Sequence, residues 1–377
     1  GKTKMQKENS TRRDFLKKSA IATTTLAIAG GINAFADTTN ENKTINNTTK
    51  WDKTFPKSDI VEHKKVSFKN RFAITLVADL YTPKNMKNKK YEAIVLSGPF
   101  GAVKEQSSGL YAQELAKRGF VALVFDQSFT GESGGETRNI ASPEIFVEDF
   151  SAAVDFLTTL DFVDSQKIGA IGICGLGAMA LTAASGDSRI KAVATSSMYD
   201  MSRSISEANY TKEQKQKVIE YVSNQRTQDA KSGKFALGYH EIPFDEQGNI
   251  LKGNRVLPET LPQNPHPVLK QFFDYYRTKR GFHERSINST TAWIATTPMH
   301  FFNFPMYHNL ELISPRPILM IVGENAHSKF YSDDVYKKAS EPKELMVISN
   351  AHHVDLYDNM EKIPFEKLED FFRKNLK

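Results

Sequence analysis

The sequence predicts an α/β protein with a mostly parallel central sheet and helices on both of its faces. Between positions 93 and 195, short apolar runs alternate with segments of helical periodicity, as in strands joined by right-handed helical crossovers. A glycine-rich turn at 172–177 joins one of these runs directly to a helix. After a long irregular segment, apolar runs at 317–322 and 343–348 return the chain to the sheet.

The chain enters the sheet through a predicted hairpin. Residues 61–68 and 72–81 alternate apolar and polar side chains around the turn Lys69-Asn70-Arg71, as half-buried antiparallel strands do. The elements predicted after the hairpin are strand 93–97, helix 108–118, strand 120–125, helix 142–160, a strand ending near Ile173, helix 177–185 and strand 190–195. Helix 142–160 begins with Ser142-Pro143-Glu144, a favourable first turn.

The regular alternation stops between 198 and 314, which predicts a cap inserted into a core formed by 60–197 and 315–377. Helical periodicity is visible in this segment only at 213–222 and 268–280. The core then ends with strand 317–322, helix 332–339, strand 343–348 and helix 364–376.

The cap is expected to cover a site at the edge of the sheet and to supply an apolar pocket. The aromatic candidates for its lining are Tyr275, Tyr276 and Phe302. Alternatively, these rings only hold the cap together.

The N-terminal segment is predicted to be an export signal. Residues 1–36 hold seven basic and two acidic side chains and so carry +5 of the formal net charge of +6. The pair Arg12-Arg13 precedes an apolar stretch, and Ala34-Phe35-Ala36 supplies a small-x-small cleavage pattern. This arrangement resembles a twin-arginine signal peptide. The resemblance implies that the twin-arginine export machinery is a partner and that the mature protein is periplasmic or secreted.

Outside the signal, the composition argues against several classes of protein. The apolar stretch 20–32 is shorter than the roughly 20 residues of a membrane span, so no stable membrane anchor is expected after cleavage. Residues 37–59 are rich in Asn, Thr and Lys and are expected to form a flexible leader. The remaining chain is nearly neutral, which argues against nucleic acid as a partner. The single cysteine allows no internal disulfide, and no Cys/His spacing typical of a metal site occurs.

Cys174 is the predicted nucleophile. The run Gly172-Ile173-Cys174-Gly175-Leu176-Gly177 follows a buried strand and opens a helix, and such a sharp turn presents the side chain at its apex. The run resembles the nucleophile elbow of α/β-hydrolases, written G-x-S-x-G, with cysteine in place of serine. The alternative is that Cys174 is a small buried side chain of the core.

The base is expected on a loop after a later strand, because the carboxyl ends of parallel strands meet at one edge of a sheet. A thiol is mostly protonated at neutral pH and needs such a base, or a helix N-terminus, to become nucleophilic. His353 lies a few residues beyond the last predicted strand and is the predicted base. Its neighbour His352 is the competing candidate.

The acid that would orient the histidine is the least defined part of the site. The α/β-hydrolase pattern often places an aspartate three residues after the glycine that ends the preceding strand, but after Gly323 that position holds Ala326. Glu324 is the preferred substitute because an acid only has to accept one hydrogen bond from the ring. Asp333 and Asp334 are the other candidates.

The oxyanion of an acyl-transfer reaction needs two backbone N–H donors. Gly175 directly follows the nucleophile and is expected to supply one. Either Phe100 or Gly101, in the tight loop after strand 93–97, is expected to supply the other. The alternative is that this loop is an ordinary strand-to-helix turn.

With these residues assembled, the chain from about residue 61 resembles the YcjY-like branch of α/β-hydrolases, which is related to dienelactone hydrolases and Xaa-Pro dipeptidyl peptidases. The segments that carry the resemblance are the elbow, 101–106, 125–135, 273–278 and 353–358. The sequence departs from the pattern at Ala326, and at Leu176, which is expected to crowd the turn or narrow the pocket.

The resemblance implies an exported hydrolase without a cofactor that acts on a small-molecule substrate. Cys174 would attack the carbonyl carbon of an ester or lactone and form an acyl-enzyme intermediate. Two alternatives remain: a non-catalytic ligand-binding member of the same fold, and a peptidase of that fold.

Overall fold

An eight-stranded sheet lies at the centre of the structure, a computed structural model that describes residues 50–207 and 210–377. The strands, including two that form a separate short ribbon, are β1 (Val61–Lys69), β2 (Thr75–Pro83), β3 (Tyr91–Ser97), β4 (Val121–Phe125), β5 (Val163–Ile173), β6 (Ile190–Ser196), β7 (Leu237–Gly238), β8 (Trp293–Ile294), β9 (Ile318–Gly323) and β10 (Lys343–Ile348). The order in the large sheet is β1-β2-β4-β3-β5-β6-β9-β10. Strand β2 is antiparallel to both of its neighbours, and the remaining pairs are parallel. The predicted hairpin and mostly parallel sheet are confirmed.

Helices cover both faces of this sheet. They are α1 (Ser107–Lys117), α2 (Pro143–Thr158), α3 (Gly175–Gly186), α4 (Met201–Ser206), α5 (Lys212–Ser232), α6 (Pro267–Tyr276), α7 (Ile287–Thr290), α8 (Pro298–Phe301), α9 (Lys329–Lys338), α10 (Asp355–Asp358) and α11 (Phe365–Asn375), with a 3₁₀-helix at Leu310–Ile313. Helices α2 and α3 pack into the apolar core on one face, whereas α1 and α11 pack into the core on the other. The fold is therefore that of an α/β-hydrolase, as predicted.

Local signals in the sequence explain several element boundaries. Helix α2 begins where predicted, because the Ser142 hydroxyl accepts a hydrogen bond from the Ile145 N–H at 3.3 Å and Pro143 occupies the first helical position. Helix α3 begins at Gly175, two residues earlier than expected. Helix α9 begins at Lys329, whereas the sequence pattern predicted a start at 332.

Helix α5 shows where apolar periodicity is an incomplete guide. A helix was predicted only at 213–222, but the observed helix continues to Ser232. It begins with a capping box between Thr211 and Gln214 and ends at Gly233, which adopts φ of +67°. Only Val218, Val222 and Asp229 of this helix are buried, so its second half carries almost no apolar stripe from which a helix could be predicted.

The residues between β6 and β9 form α4 to α8 and the ribbon of β7 and β8, in which the two strands are antiparallel. The predicted signal peptide at 1–36 and most of the predicted leader lie outside the described residues. Among the residues that the structure describes, no helix is both long enough and apolar enough to cross a membrane.

Candidate active site

Cys174 lies at the apex of the turn between β5 and α3. Its φ of +53° is unusual for a residue other than glycine. Two glycines permit the tight turn, because a Cβ on Gly172 would lie 2.2 Å from the Leu176 carbonyl oxygen and one on Gly177 would lie 2.7 Å from Met198 Cγ. The Cys174 N–H donates to the Ser196 carbonyl oxygen at 2.9 Å, which ties the turn to the end of β6. The thiol is therefore held at the carboxyl edge of the sheet.

The thiol is buried, and burial raises its pKa to about 11. Three hydrogen-bond donors oppose that rise: the Tyr357 hydroxyl and the backbone N–H groups of Gly175 and Phe100. The negative charge of Glu241 adds a smaller effect in the raising direction. The resting side chain is therefore a neutral thiol at pH 7, and it needs a base to become a nucleophile.

An oxyanion hole needs two backbone donors, and the N–H groups of Gly175 and Phe100 both lie near the thiol. Gly175 is the first residue of α3, where N–H groups have no partner within the helix. Phe100 follows β3, and its N–H group, rather than that of Gly101, interacts with the thiol. The Phe100 N–H group therefore lies near the sulfur, and the choice of Phe100 or Gly101 as the second oxyanion donor stays a prediction.

A cap residue, Asn288, holds the Phe100 loop in place. Its side-chain amide donates to the Phe100 carbonyl oxygen at 2.7 Å, and its backbone N–H donates to the Gly101 carbonyl oxygen at 3.1 Å. The Ser286 hydroxyl donates to the same Gly101 oxygen at 2.9 Å. The Phe100 ring packs on Trp293, with 4.4 Å between the ring centres. The loop that carries the oxyanion donor is thus fixed by residues from the cap.

His353 is fully buried in the loop before α10, and both of its ring nitrogens have partners. Nε2 lies 2.9 Å from the Tyr357 hydroxyl, and Nδ1 lies 2.6 Å from the Ser328 hydroxyl. Burial, reinforced by the nearby His327, holds the pKa of His353 well below its usual value. The competing His352 is exposed to solvent. His353, the predicted base, is therefore a neutral imidazole next to Tyr357.

The structure does not place any predicted acid beside His353. The Glu324 carboxylate is exposed and accepts from the Asn350 N–H at 2.9 Å. Asp333 pairs with Lys329 at 2.9 Å, and Asp334 pairs with Arg203 at 2.9 Å. The expectation that Glu324 orients the histidine is therefore wrong: Glu324 directly follows β9 and bonds to the Asn350 N–H, and the Ser328 hydroxyl takes the Nδ1 position instead.

A cavity of about 980 Å³ opens above the thiol. Its walls come mainly from the segments 199–207, 210–215, 239–288 and 327–331. The lining aromatic residues are Tyr199, Tyr210, Tyr239, Tyr276, Tyr331, Tyr357, Phe100, Phe272 and Phe330. Most of the lining residues come from the segment between β6 and β9, which therefore lies over Cys174.

Of the predicted pocket residues, only Tyr276 lines this cavity. Tyr275 is buried behind it and packs its ring edge-on against Tyr357. Phe302 packs against a small apolar cluster around Val218 and does not reach the cavity. Leu176 is fully buried in the apolar core on the side of the sheet covered by α2 and α3. It therefore does not narrow the cavity, contrary to one of the two expected effects.

The polar groups of the cavity are mostly neutral at pH 7. Burial lowers the pKa of His327 to about 4, and burial also lowers the pKa of His240. The charged groups are Arg203, Glu207, Lys215 and Glu241. Among the described residues, no group of three or more His, Cys, Asp or Glu side chains is arranged to hold a metal ion.

Three residues of the site were not predicted from the sequence: Ser328, Asn288 and Tyr357. A hydroxyl in the place of the acid has no counterpart in the hydrolase pattern, and a cap asparagine on a distant loop leaves no local signal. Tyr357 does leave one, because it lies four residues after His353, a spacing that places two side chains on one face of a helical turn.

Known proteins resemble this chain in sequence over most of its length. Residues 73–296 match the model of a family described as X-Pro dipeptidyl-peptidase (S15 family). The chain is 48% identical to the uncharacterised protein PA2218 of Pseudomonas aeruginosa over 99% of this chain and 98% of that protein. It is 37% identical to the uncharacterised protein YcjY of Escherichia coli over 78% of this chain and 93% of that protein.

Solved structures show the same architecture. The crystal structure of PA2218 superimposes with a TM-score of 0.81 and 50% identity, and the match covers 89% of this chain and 100% of that one. The α/β-hydrolase GrgF of a Penicillium species has a TM-score of 0.65 at 20% identity, covering 84% of this chain and 99% of that one, which supports the fold alone. In sequence, GrgF carries the name polyketide transferase, with 23% identity over 86% of this chain and 98% of GrgF.

Proposed function

Because the chain belongs to the α/β-hydrolase family described as X-Pro dipeptidyl-peptidase (S15 family), we propose that it is a hydrolase in which Cys174 is the nucleophile. The sulfur attacks the carbonyl carbon of a carboxylic ester or lactone and forms an acyl-thioester, which water then hydrolyses. His353 is the base that receives the thiol proton and later returns it to the leaving group.

One observation carries this proposal: the Phe100 and Gly175 N–H groups lie near the sulfur of Cys174, which also lines a large cavity. A buried structural cysteine would need neither feature. The donors from Phe100 and Gly175 would stabilise the negative charge that develops on the carbonyl oxygen during attack, and each such donor contributes about 10²-fold to 10³-fold in rate.

The cavity supports a bulky acyl group as the substrate. Its volume of about 980 Å³ is at the upper end of small-molecule sites, and its walls carry six tyrosines and three phenylalanines. Aromatic side chains contact flat, apolar groups over large areas, and tyrosine hydroxyls and neutral imidazoles add hydrogen bonds. We therefore assign the site to esters or lactones of extended, partly aromatic acids. The name polyketide transferase given to GrgF is consistent with acyl transfer in such a site.

The peptidase activity in the family description has weaker support. A dipeptidyl-peptidase must hold a free amino terminus, which calls for an unpaired carboxylate near the nucleophile. Of the two carboxylates of the cavity, Glu207 lies 4.0 Å from Arg203, whereas Glu241 bonds to the neutral Ser204 hydroxyl. The cavity thus offers an ammonium group one carboxylate without a cationic partner among the described residues, against nine aromatic rings for an acyl chain.

The twin-arginine motif Arg12-Arg13 supports export as part of the same proposal. The hydrolase would act on its substrate in the periplasm or outside the cell. A site that needs one free thiol and no disulfide is suited to a chain that folds before it leaves the cytoplasm.

The proposal predicts a covalent acyl-enzyme on Cys174. The folded protein, mixed with the p-nitrophenyl ester of an aromatic acid and quenched in acid, should gain the mass of one acyl group by intact-mass spectrometry. Cys174→Ala should gain nothing, because it has no nucleophile, and His353→Ala should acylate about 10²-fold or more slowly, because it has no base.

Two outcomes would contradict the proposal. An adduct that persists in Cys174→Ala would place the nucleophile elsewhere. No adduct with any ester, together with a thiol that is inert to alkylation in the folded state, would favour a non-catalytic ligand-binding protein.

A further inference from the structure

We propose that the proton of the Cys174 thiol reaches His353 through the hydroxyl of Tyr357, which makes Tyr357 a catalytic residue. The inference rests on the proposed function, since it concerns how that nucleophile is activated. Within the described residues, no hydrogen bond links Cys174 directly to His353. The Tyr357 hydroxyl lies 2.9 Å from His353 Nε2, and the Tyr357 side chain lines the same cavity as Cys174.

The exposure of the three side chains to the cavity also places Tyr357 between the thiol and His353. Cys174 and Tyr357 both line the cavity, whereas His353 is fully buried and is not part of its lining. The groups that surround the His353 ring are Tyr199, Phe272, His327, Ser328 and Tyr357. Of these, Tyr357 is the one whose hydroxyl bonds to Nε2, and the nearby Cys174 is one of the groups that raise the pKa of Tyr357.

Tyr357 is held firmly enough to act as a relay. It lies on α10, whose position is fixed by the Tyr111 hydroxyl donating to the Leu356 carbonyl oxygen at 2.7 Å. The Tyr275 ring packs edge-on against it, with 5.1 Å between the ring centres. Burial and the neighbouring Cys174 raise the pKa of Tyr357 well above its usual value, so the hydroxyl stays protonated. A neutral hydroxyl can accept one proton while it donates another.

Two proton transfers accompany the attack of the thiol. As the Cys174 sulfur forms its bond to the carbonyl carbon, the thiol proton passes to the Tyr357 oxygen and the Tyr357 proton passes to His353 Nε2. The carbonyl π electrons move to the oxygen, which the Phe100 and Gly175 N–H groups stabilise. When the intermediate collapses, the C–O bond to the leaving group breaks, and the alkoxide takes a proton from Tyr357, which is reprotonated from Nε2. Nδ1 keeps its proton throughout and donates it to the Ser328 hydroxyl.

The test compares Tyr357→Phe with Tyr275→Phe, which removes the hydroxyl of a neighbouring buried tyrosine outside the cavity lining. The relay predicts that Tyr357→Phe slows acylation by about 10²-fold or more, the usual size of a lost proton transfer, and that Tyr275→Phe acylates like the wild type. The double variant Tyr357→Phe/His353→Ala should be no slower than either single variant, because both residues act on the same proton.

A structural role for Tyr357 would give a different result. If Tyr357→Phe acylates within about twofold of the wild type while His353→Ala is slow, the imidazole takes the proton directly and the relay is wrong. If the losses in Tyr357→Phe and His353→Ala multiply in the double variant, the residues act independently and the relay is also wrong. Acylation of the Cys174→Ala variant would instead show that Cys174 is not the nucleophile. A failure of the proposed function is therefore distinguishable from a failure of the relay.

Discussion

At the scale of single residues, the partner of His353 Nδ1 decides how strong a base the imidazole can be. In α/β-hydrolases a carboxylate usually holds that position and stabilises the imidazolium that forms during attack. Here the position is taken by the Ser328 hydroxyl, which can orient the ring but carries no charge. Because His353 is also fully buried, the imidazolium is poorly stabilised and the thiol keeps its proton at rest.

Ser328→Asp should therefore strengthen the base. A carboxylate within hydrogen-bond distance of Nδ1 favours the charged ring, so the pKa of His353 should rise by about 1 to 3 units. Protonated His353 cannot accept a proton, so the acidic limb of the acylation rate against pH should move to higher pH. Above that limb, acylation should be faster than in the wild type.

The matched control is Ser328→Ala, which loses one neutral hydrogen bond worth about 1 kcal/mol and should acylate about fivefold more slowly without a shifted pH limb. Stopped-flow release of nitrophenol between about pH 4 and 9 measures both variants, since a limb raised toward the usual histidine pKa of about 6.5 lies inside that interval. An unchanged limb in Ser328→Asp would show that His353 is not the base.

These residues also show how far local sequence signals reach. Cys174 and His353 could be singled out because a strand-to-helix turn and a strand end mark their positions. Ser328 could not, since a serine two residues beyond the usual acid position looks like any loop residue, and its role depends on the burial of a ring 25 positions later.

At the scale of elements, the site joins a core loop to a cap helix. The loop after β3 carries the Phe100 donor, and Asn288 on the short helix α7 holds that loop through two hydrogen bonds. The position of the oxyanion donor thus depends on the cap as well as on the sheet.

Asn288→Ala should loosen this donor and leave the nucleophile intact. Part of the stabilisation from one oxyanion donor would be lost, so acylation should slow by about tenfold or more. Alkylation of Cys174 by iodoacetamide, which forms no oxyanion, should change by less than about twofold. The control is Thr290→Ala, which removes the hydrogen bond that the Thr290 hydroxyl donates to the Ser286 carbonyl oxygen at 2.9 Å. This variant should match the wild type in both assays. Equal losses in the two variants would indicate a general disturbance of the cap.

The elements of the core follow from their sequence, whereas those of the cap do not. Strands such as β4 and β9 are buried along their whole length and read as apolar runs between turn residues. In the cap, β7 and β8 are two residues long and pair across a large sequence separation, so no periodicity predicts them. The cavity lining, which depends on how such segments pack, was correspondingly predicted only in part.

At the scale of the whole molecule, the topology of the sheet explains why distant residues meet. Phe100, Cys174, Ser328 and His353 each follow a strand of the parallel part of the sheet, so all four lie at its carboxyl edge. The segment between β6 and β9 then covers that edge, and the thiol is buried although it lines the cavity. The strand order is enough to bring these four residues together. Which substrate fits the cavity depends on how the cap packs over them.

Export of the whole chain should require the arginine pair Arg12-Arg13. Lysine keeps the positive charge but lacks the planar guanidinium of arginine, so Arg12→Lys/Arg13→Lys preserves the charge of the segment and removes the motif. In a bacterial host, the full-length wild-type chain should be recovered from the periplasmic fraction with Asp37 at its N-terminus, and the double variant should stay uncleaved in the cytoplasm. Lys17→Arg/Lys18→Arg, an equally conservative change five positions away, should be exported like the wild type. Export of the Arg12→Lys/Arg13→Lys variant would mean that the segment is read as an ordinary basic leader, and the folded, thiol-bearing hydrolase would then need another route out of the cytoplasm.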